Sequence, residues 1–404
     1  MTASGGSDAD KVHVSSSNGN HAKTTIAFDT WPLASRFRNT GIYVYARRLL
    51  SHFRDMAAHQ SIEFRPLICE ALPNDANQFE AGPGFQPYQT NFMRVGRVWL
   101  NGGACVSAWR SKADVLFCPS GTTLPVGSLV AVVATIHDVT PVIFPGFANG
   151  DAKALRSAFA KAAKFSHAVI TDSMCSKQDL VNIFHVPESR VHVVYLGCDE
   201  TIFNESAPDQ EQRAALLRKF AINKPYIFHH GMIQPRKNLK RLIEAYRLAL
   251  SRNHNLDLDL VLAGDLGWQY EETLAAANSG EGPGRVVLTG PVADPDLSIL
   301  LKTAALVVVP SLYEGFCLPL VEAMACGAPT ICSRSSCLPE VSGGVLRYFD
   351  PLSVEEMSAC IEQVLEDSNL RARLSSKGKE RASSFRWQRC AEETLTVLKS
   401  AADS

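Results

Sequence analysis

No apolar run in this 404-residue chain reaches the ~18 residues that a membrane-crossing helix needs. The 11 cysteines are odd in number and scattered, with no C-x-x-C pair among them. That disfavours a disulfide framework and zinc-ligand spacing, and it fits buried thiols in a reducing compartment. Neither sign of charge is in excess: 40 Lys and Arg stand against 41 Asp and Glu, a formal net charge of -1, so composition gives no support for nucleic-acid binding. The G-x-G-x-x-G fingerprint of dinucleotide-dependent oxidoreductases is missing, and no fixed-period repeat signals a solenoid. Residues 1–22, MTASGGSDADKVHVSSSNGNHA, lack the apolar core of a signal peptide. They read as a disordered leader, and the protein is expected to be cytoplasmic.

What the chain has is 46% hydrophobic residues in a regular alternation of short β-rich runs and longer helical stretches. The first half offers TTIAFDT (24–30), IEFRPLIC (62–69), DVLFCPS (114–120), AVVATIHD (131–138), HAVITDS (167–173) and VHVVYLG (191–197). The second offers YIFHHGM (226–232), LDLVLAG (258–264), RVVLTG (285–290), ALVVVPS (305–311), PTICSR (329–334) and VLRYFD (345–350). Many are near-continuous apolar runs, the pattern of parallel strands covered on both faces. Between them, NLKRLIEAYRLAL places Leu239, Leu242, Ile243, Tyr246 and Leu250 on one helical face. Such alternation predicts α/β folding with right-handed crossovers. The length and the polar break at Asn204–Gln210 predict two domains, 23–205 and 206–384, with a last helix at 385–404. Ligands of such domains bind outside the carboxyl ends of the strands, so residues just after strands are the candidates.

SLYEGFCLPLVEAMACGAPTIC (311–332) follows one such run and holds Glu314 and Glu322. Pro319 suits a helix start, and Gly327 before Ala328-Pro329 suits its stop. The helix N-terminus then offers free N–H groups and partial positive charge to an anion. A carboxylate beside that anion repels it unless it faces neutral hydroxyls. The spacing therefore suits a ligand with an anionic middle and polyol ends, and it equally suits helix-start or surface acids. GMIQPRKNLKRL places Arg236 and Lys237 before a helix at Asn238. That is either a diphosphate clamp, each charge-assisted hydrogen bond contributing roughly 1.5–3 kcal/mol, or a pair of solvated charges. Lys240 and Arg241, a turn later, read as exposed.

In TIHDVTP, His137 and Asp138 end a buried strand, where a His either reaches a ligand or is structural. Gly41, in FRNTGIYVYARRLL, permits close backbone approach to a phosphate, a single-glycine signal. Ser173 and Ser176 read as helix caps, Ser176 with Asp179 at capping-box spacing. FMRVGRVWLNGGACVSAWRSK (92–112) reads as a helix packing its Trp residues inward or as a surface for a lipid-linked acceptor. The D-x-D matches Asp8/Asp10, Asp257/Asp259 and Asp294/Asp296 read as chance, being in the leader, at a strand start and in a loop before a helix.

EGFCLPLVEAMACGAP closely resembles the E-x7-E signature of retaining GT-B glycosyltransferases of the group 1 or family 4 type. GMIQPRKNLKRLIEAY is similar to their donor-phosphate loop, while VITDSMCSKQDL and VHVVYLGCDETIF resemble two first-domain landmarks. The resemblance covers most of residues 24–400 and is more specific in the second half. It implies two Rossmann-like, doubly wound domains facing across a cleft, the first for the acceptor and the second for the nucleotide-sugar donor. The C-terminal helix would cross back onto the first domain, with Trp387 where the family often has an aromatic. Donor contacts are implied for Gly41, Gly231, Arg236, Lys237, Glu314, Gly315, Phe316, Cys317, Leu318 and Glu322, with His137 over the sugar. His137, Arg236, Lys237 and Glu314 are the implied catalytic groups. Cys317 departs from the family, which commonly has Gly there, and it would narrow the sugar pocket.

TIHDVTP looks like bacterial mannosyltransferases of surface-polysaccharide assembly, which points first to GDP-mannose and next to UDP-glucose. The expected partners are that donor and a glycan or lipid-linked acceptor, with peripheral contact at the inner face of the membrane as an extension. No metal or other cofactor is expected, because the cations are built into the chain. The alternatives are a sugar-nucleotide epimerase or glycosyl phosphorylase on the same architecture, or a non-catalytic nucleotide-sugar binding protein.

Overall fold

A computed structural model describes residues 23–34, 40–69, 80–90, 98–123, 129–147, 150–280 and 282–404. The leader, Asp8/Asp10 and residues 92–97 of the Trp-rich segment lie outside them. Each of the twelve apolar runs forms a strand. In order they are β1 (Thr24–Asp29), β2 (Ile62–Ile68), β4 (Val115–Cys118), β5 (Ala131–Thr135), β6 (Ala168–Thr171) and β7 (Val191–Val193), then β8 (Tyr226–His230), β9 (Asp259–Ala263), β10 (Val286–Gly290), β11 (Leu306–Val309), β12 (Thr330–Ser333) and β13 (Arg347–Phe349). A two-residue edge strand, β3 (Tyr88–Gln89), is added; it is too short to write a pattern in the sequence.

The strands form two sheets, ordered β3-β2-β1-β4-β5-β6-β7 and β10-β9-β8-β11-β12-β13. Every pairing of these strands is parallel. The order reverses beside β1/β4 in one sheet and β8/β11 in the other. Crossovers leave a crevice at such points, where ligands of open α/β sheets bind. Central strands such as β4 and β11 are buried along their whole length, which is why their sequences do not alternate. The helix Leu239–Arg252 buries Leu239, Leu242, Ile243, Tyr246 and Leu250, the face its sequence predicts.

The last helix, Trp387–Ala402, packs against β4, β5 and the helix Gly41–Ala57, all in the first sheet's domain. The chain crosses there at Gly197, where a Cβ would stand 2.1 Å from the Trp387 nitrogen, so a side chain has no room. Other contacts join the halves at the cleft. The Glu340 carboxylate accepts from the Met174 and Cys175 nitrogens at 2.7 and 3.1 Å and from the Tyr195 hydroxyl at 2.9 Å. Trp268 Nε1 donates to the Phe147 carbonyl at 2.7 Å, and the Tyr313 hydroxyl donates to Asp179.

Two expectations are corrected. Ser173 does cap the helix Met174–Phe184, accepting from the Ser176 nitrogen at 3.1 Å. Ser176 is already inside that helix and its hydroxyl donates to the His137 carbonyl at 3.2 Å, while Asp179 is engaged by Tyr313, so no second capping box exists. Of the two Trp residues in the 92–112 segment, Trp99 is buried and donates to Asp29 at 2.9 Å, but Trp109 is 55% exposed. The 11 cysteines are free thiols, all buried except half-buried Cys175. Among the described residues no helix is long and apolar enough to cross a membrane.

Candidate active site

The second sheet's switch point gathers the charges. Chain leaving β8 forms a tight turn, Pro235–Lys237, that presents Arg236 and Lys237. Asn238 follows in the left-handed region (φ 60°), and its side chain donates to the Pro310 and Pro351 carbonyls at 3.1 and 2.7 Å. The first bond ties the turn to the loop leaving β11, which carries Glu314, and the second to the chain after β13. Lys237 Nζ donates to Glu314 Oε1 at 2.7 Å, the Ser311 hydroxyl donates to the same oxygen at 2.7 Å, and Arg236 pairs with Oε2. The Glu314 nitrogen donates to the Ser336 hydroxyl at 2.9 Å. Lys237 is 5% exposed and Glu314 4%. Burial alone would raise the Glu314 carboxyl, but the adjacent Arg236 and Lys237 charges and their hydrogen bonds outweigh it and hold it at about 2. Gly231, at φ 133°, points its open side at Lys237, whose Nζ lies 3.6 Å from where a Cβ would stand.

Glu322 lies in the helix Leu318–Ala325 and behaves oppositely. Burial first, and the Asp294 charge second, push its carboxyl up to about 8. Its neighbour His230, 3.5 Å away, is driven down to about 3 by burial and by His229 and Lys237. Near pH 7 the contact therefore joins two neutral groups rather than an ion pair. Cys317, the residue before this helix, sits at φ 77°, a conformation that suits glycine and costs an L-residue on the order of 1 kcal/mol. Its thiol is buried and pushed up to about 12 by burial and then by Glu314.

The first domain contributes His137, just beyond β5. Its Nδ1 lies 2.7 Å from Asp172 Oδ2 and its Nε2 3.2 Å from the Pro119 carbonyl. Burial alone would lower the imidazole, but the Asp172 charge and hydrogen bond, the Pro119 carbonyl and Asp138 raise it. Gly315 joins the halves: a Cβ there would lie 2.3 Å from the His137 carbonyl oxygen. The loop that carries Glu314 thus rests on the backbone of His137, a close approach that only glycine allows.

Gly231, Arg236, Lys237, Glu314 and Gly315, with the His137 backbone, therefore form one contiguous constellation, and Glu322 lies a turn inside the helix that follows Cys317. Phe316 turns its ring into the core against Phe385 and Tyr195, with centroids 5.3 and 6.2 Å apart, so only its backbone borders the site. Leu318 opens the helix and is half-buried. Gly41 is exposed at the start of its helix, with open space where a Cβ would stand. Lys240 pairs with Glu272 at 3.0 Å, while Arg241 donates to Asn238 Oδ1 at 2.9 Å. Of the D-x-D residues, Asp257 pairs with Lys224, Asp259 with Arg285 and Asp296 with Lys219, whereas Asp294 acts on Glu322. Asp294 and Asp296 stand in the first turn of the helix Asp294–Thr303 and not in a loop before it. Asp172, Ser311 and Asn238 were missed by sequence reasoning; each is a polar residue at a strand end or turn, a signal too common to stand out.

The chain matches the model of "Glycosyl transferases group 1" over residues 212–381 and that of "Glycosyltransferase Family 4" over residues 34–202. It is 30% identical over 296 residues to the O-antigen chain mannosyltransferase B of Escherichia coli, a match covering 72% of this chain and 76% of that one. It is 31% identical to the MMP alpha-(1->4)-mannosyltransferase of Mycolicibacterium hassiacum, over 58% of this chain and 54% of that protein. In fold it is similar to HepE of Anabaena, crystallised in complex with UDP, with a TM-score of 0.67 at 18% identity over 93% of this chain and 100% of that one. The two parallel sheets facing across a cleft make a GT-B fold, and the chain belongs to the group 1 glycosyltransferases.

Proposed function

We propose that this glycosyltransferase moves a hexose with retention of anomeric configuration to a glycan or lipid-linked acceptor in surface-polysaccharide assembly. Mannose from GDP-mannose is the first choice of donor and glucose from UDP-glucose the next. The observation that carries the reading is the Arg236–Glu314–Lys237 cluster astride the β8/β11 switch point, with the His137 backbone carbonyl against the adjoining Gly315 from the other domain. The names of the two mannosyltransferase relatives favour mannose, and the UDP complex of the fold relative favours a nucleotide-sugar donor.

The diphosphate of such a donor leaves as an anion. Arg236, Lys237 and the N-terminus of the helix Leu239–Arg252 are fixed in place to stabilise that developing charge. Glu314 pairs with both cations, and the trio keeps a net charge of +1. A diphosphate competes for them and leaves Glu314 to accept hydrogen bonds from sugar hydroxyls. Glu322 takes the ribose diol, and the backbone of Phe316, Cys317 and Leu318 lines the sugar–phosphate junction. The bond from anomeric carbon to phosphate oxygen breaks through an oxocarbenium-like state. The acceptor hydroxyl attacks from the same face, and its proton passes to a departing phosphate oxygen. No protein nucleophile is used, and the built-in cations take the place of a divalent metal. For a lipid-linked acceptor, exposed Trp109 with Arg110 and Lys112 is the surface for peripheral membrane contact.

The test is nucleotide release from GDP-mannose and UDP-glucose, with and without EDTA, in the presence of mannosylated acceptor glycans. Release that requires acceptor and survives EDTA supports the reading; release abolished by EDTA contradicts its metal-free part. Donor binding without release under any acceptor favours the binding-protein alternative.

A further inference from the structure

We propose that Asp172 is a positioning residue that holds His137 as a doubly protonated imidazolium, so that His137 acts in transfer as a fixed charge and not as a proton acceptor. The inference rests on the reading of His137 as part of the donor site. The dyad is built by topology: Pro119, His137 and Asp172 follow β4, β5 and β6, which are neighbours in the first sheet. Asp172 Oδ2 stands 2.7 Å from Nδ1, inside the range of a charge-assisted hydrogen bond. The other nitrogen, Nε2, faces the Pro119 carbonyl at 3.2 Å. Both of these oxygens only accept. With Asp172 ionised, either neutral tautomer would aim a lone pair at one of them, and the doubly protonated ring satisfies both. Burial raises the Asp172 carboxyl, and a protonated Asp172 beside an Nε2–H ring is the neutral alternative that titration of the ring separates.

The surroundings point the same way. The Asp172 side chain is 3% exposed, and its Oδ1 has no hydrogen-bond partner among the described residues. Burial with one oxygen unsatisfied raises the Asp172 carboxyl, and the His137 charge and its hydrogen bond oppose that rise, so the ionised pair depends on the His137 cation. The Tyr45 ring stands edge-on to His137 with centroids 4.7 Å apart, fixing the ring plane. The other titratable groups facing the dyad are Asp138 on its own segment, Tyr45 on the helix Gly41–Ala57 and Cys390 on the C-terminal helix. Burial holds the phenol and the thiol well above neutrality, so both remain uncharged in the working range. From the second domain, the loop at Gly315 sits on the His137 carbonyl, and Arg236 lies near Asp138.

The experiment is a titration of the intact protein carrying 13Cε1-labelled histidine, with the His137 signal assigned by its loss in His137→Ala, beside pH profiles of kcat and KM for donor. The imidazolium of the native protein should persist above pH 7.5. Asp172→Asn should lower that midpoint by at least one pH unit and move the basic limb of kcat with it. The loss is then about tenfold or more at pH 8 and small at pH 6, whereas Asp172→Glu restores part of it. A merely structural role would lower activity equally at every pH. A native His137 that is neutral at pH 7.5, or an unmoved midpoint in folded Asp172→Asn, overturns the proposal. Should Asp172→Asn fail to fold, the native titration alone decides. The ring titration needs no donor, so it stands even where the assigned donor proves wrong.

Discussion

The two halves of the cleft hold their charges by different means. In the second domain two cations, Arg236 and Lys237, share one carboxylate, Glu314, on two loops leaving adjacent strands. In the first domain a single His is held by one carboxylate, and the pair is separated by 35 residues along the chain. The second arrangement already has a net positive charge, which grows once Glu314 is drawn away. The first has none to spare. The excess of positive charge in the second domain fits the proposal that this domain takes the anionic part of a donor, while the first orients what lies beyond it.

The sharpest break in that comparison is removal of a second-domain charge. Lys237→Ala and Glu314→Ala should each lower turnover by at least ~100-fold while the protein stays folded, as expected for groups that stabilise or orient at the transition state. Near-normal kcat in either folded variant would remove the cluster from the chemistry.

Next comes a contrast within the second domain. Glu314 is held at about 2 against an ordinary 4.5, so its contribution is fully present above pH 4.5 and is lost as pH falls through 2; the shift corresponds to about 3 kcal/mol. Glu322 is held at about 8, so its ionisation costs stability increasingly as pH rises from 4.5 to 8. At pH 8, Glu314→Gln should lower the melting temperature and Glu322→Gln should raise it, while Glu322→Gln raises the KM for donor. Shifts of the same sign in thermal melts would contradict the opposed surroundings of the two residues.

A smaller effect is expected where the halves touch. Glu340→Ala leaves the N-terminus of the helix Met174–Phe184 without its cross-domain acceptor. The radius of gyration from small-angle scattering should increase and turnover should fall by about tenfold, ~1.4 kcal/mol. An unchanged radius would mean that the contact does not hold the cleft closed. The smallest effect is expected of Cys317→Gly. It relieves a left-handed conformation but removes a buried thiol, so stability should change by no more than about 1 kcal/mol while the selectivity between mannose and glucose donors shifts. Unchanged selectivity in competition assays would place the thiol outside the sugar pocket.

The same contrast explains what the sequence discloses. Strands buried on both faces write continuous apolar runs, so the strands of both sheets were legible except for the two-residue β3. Arg236, Lys237, Glu314 and Gly315 were legible because each follows its strand within a few residues, where open α/β sheets put their ligands. Asp172 was not, because only the parallel pairing of β5 with β6 brings it to His137. Glu340 reaches the helix Met174–Phe184 across 166 residues, and no local pattern records that contact. The inward turn of the Phe316 ring depends on Phe385, from the far end of the chain.

The most direct test of the central claim is a thermal-shift titration of wild type and Lys237→Ala with GDP, UDP, ADP and their mannose and glucose conjugates, each with and without EDTA. A ligand that binds the native state raises its stability by RT ln(1 + L/Kd), with L the free ligand concentration. A clear shift is expected with one nucleotide family, insensitive to EDTA in wild type and largely lost in Lys237→Ala. No shift with any of them from folded wild-type protein, or an equal shift in Lys237→Ala, would contradict a donor site built on that lysine.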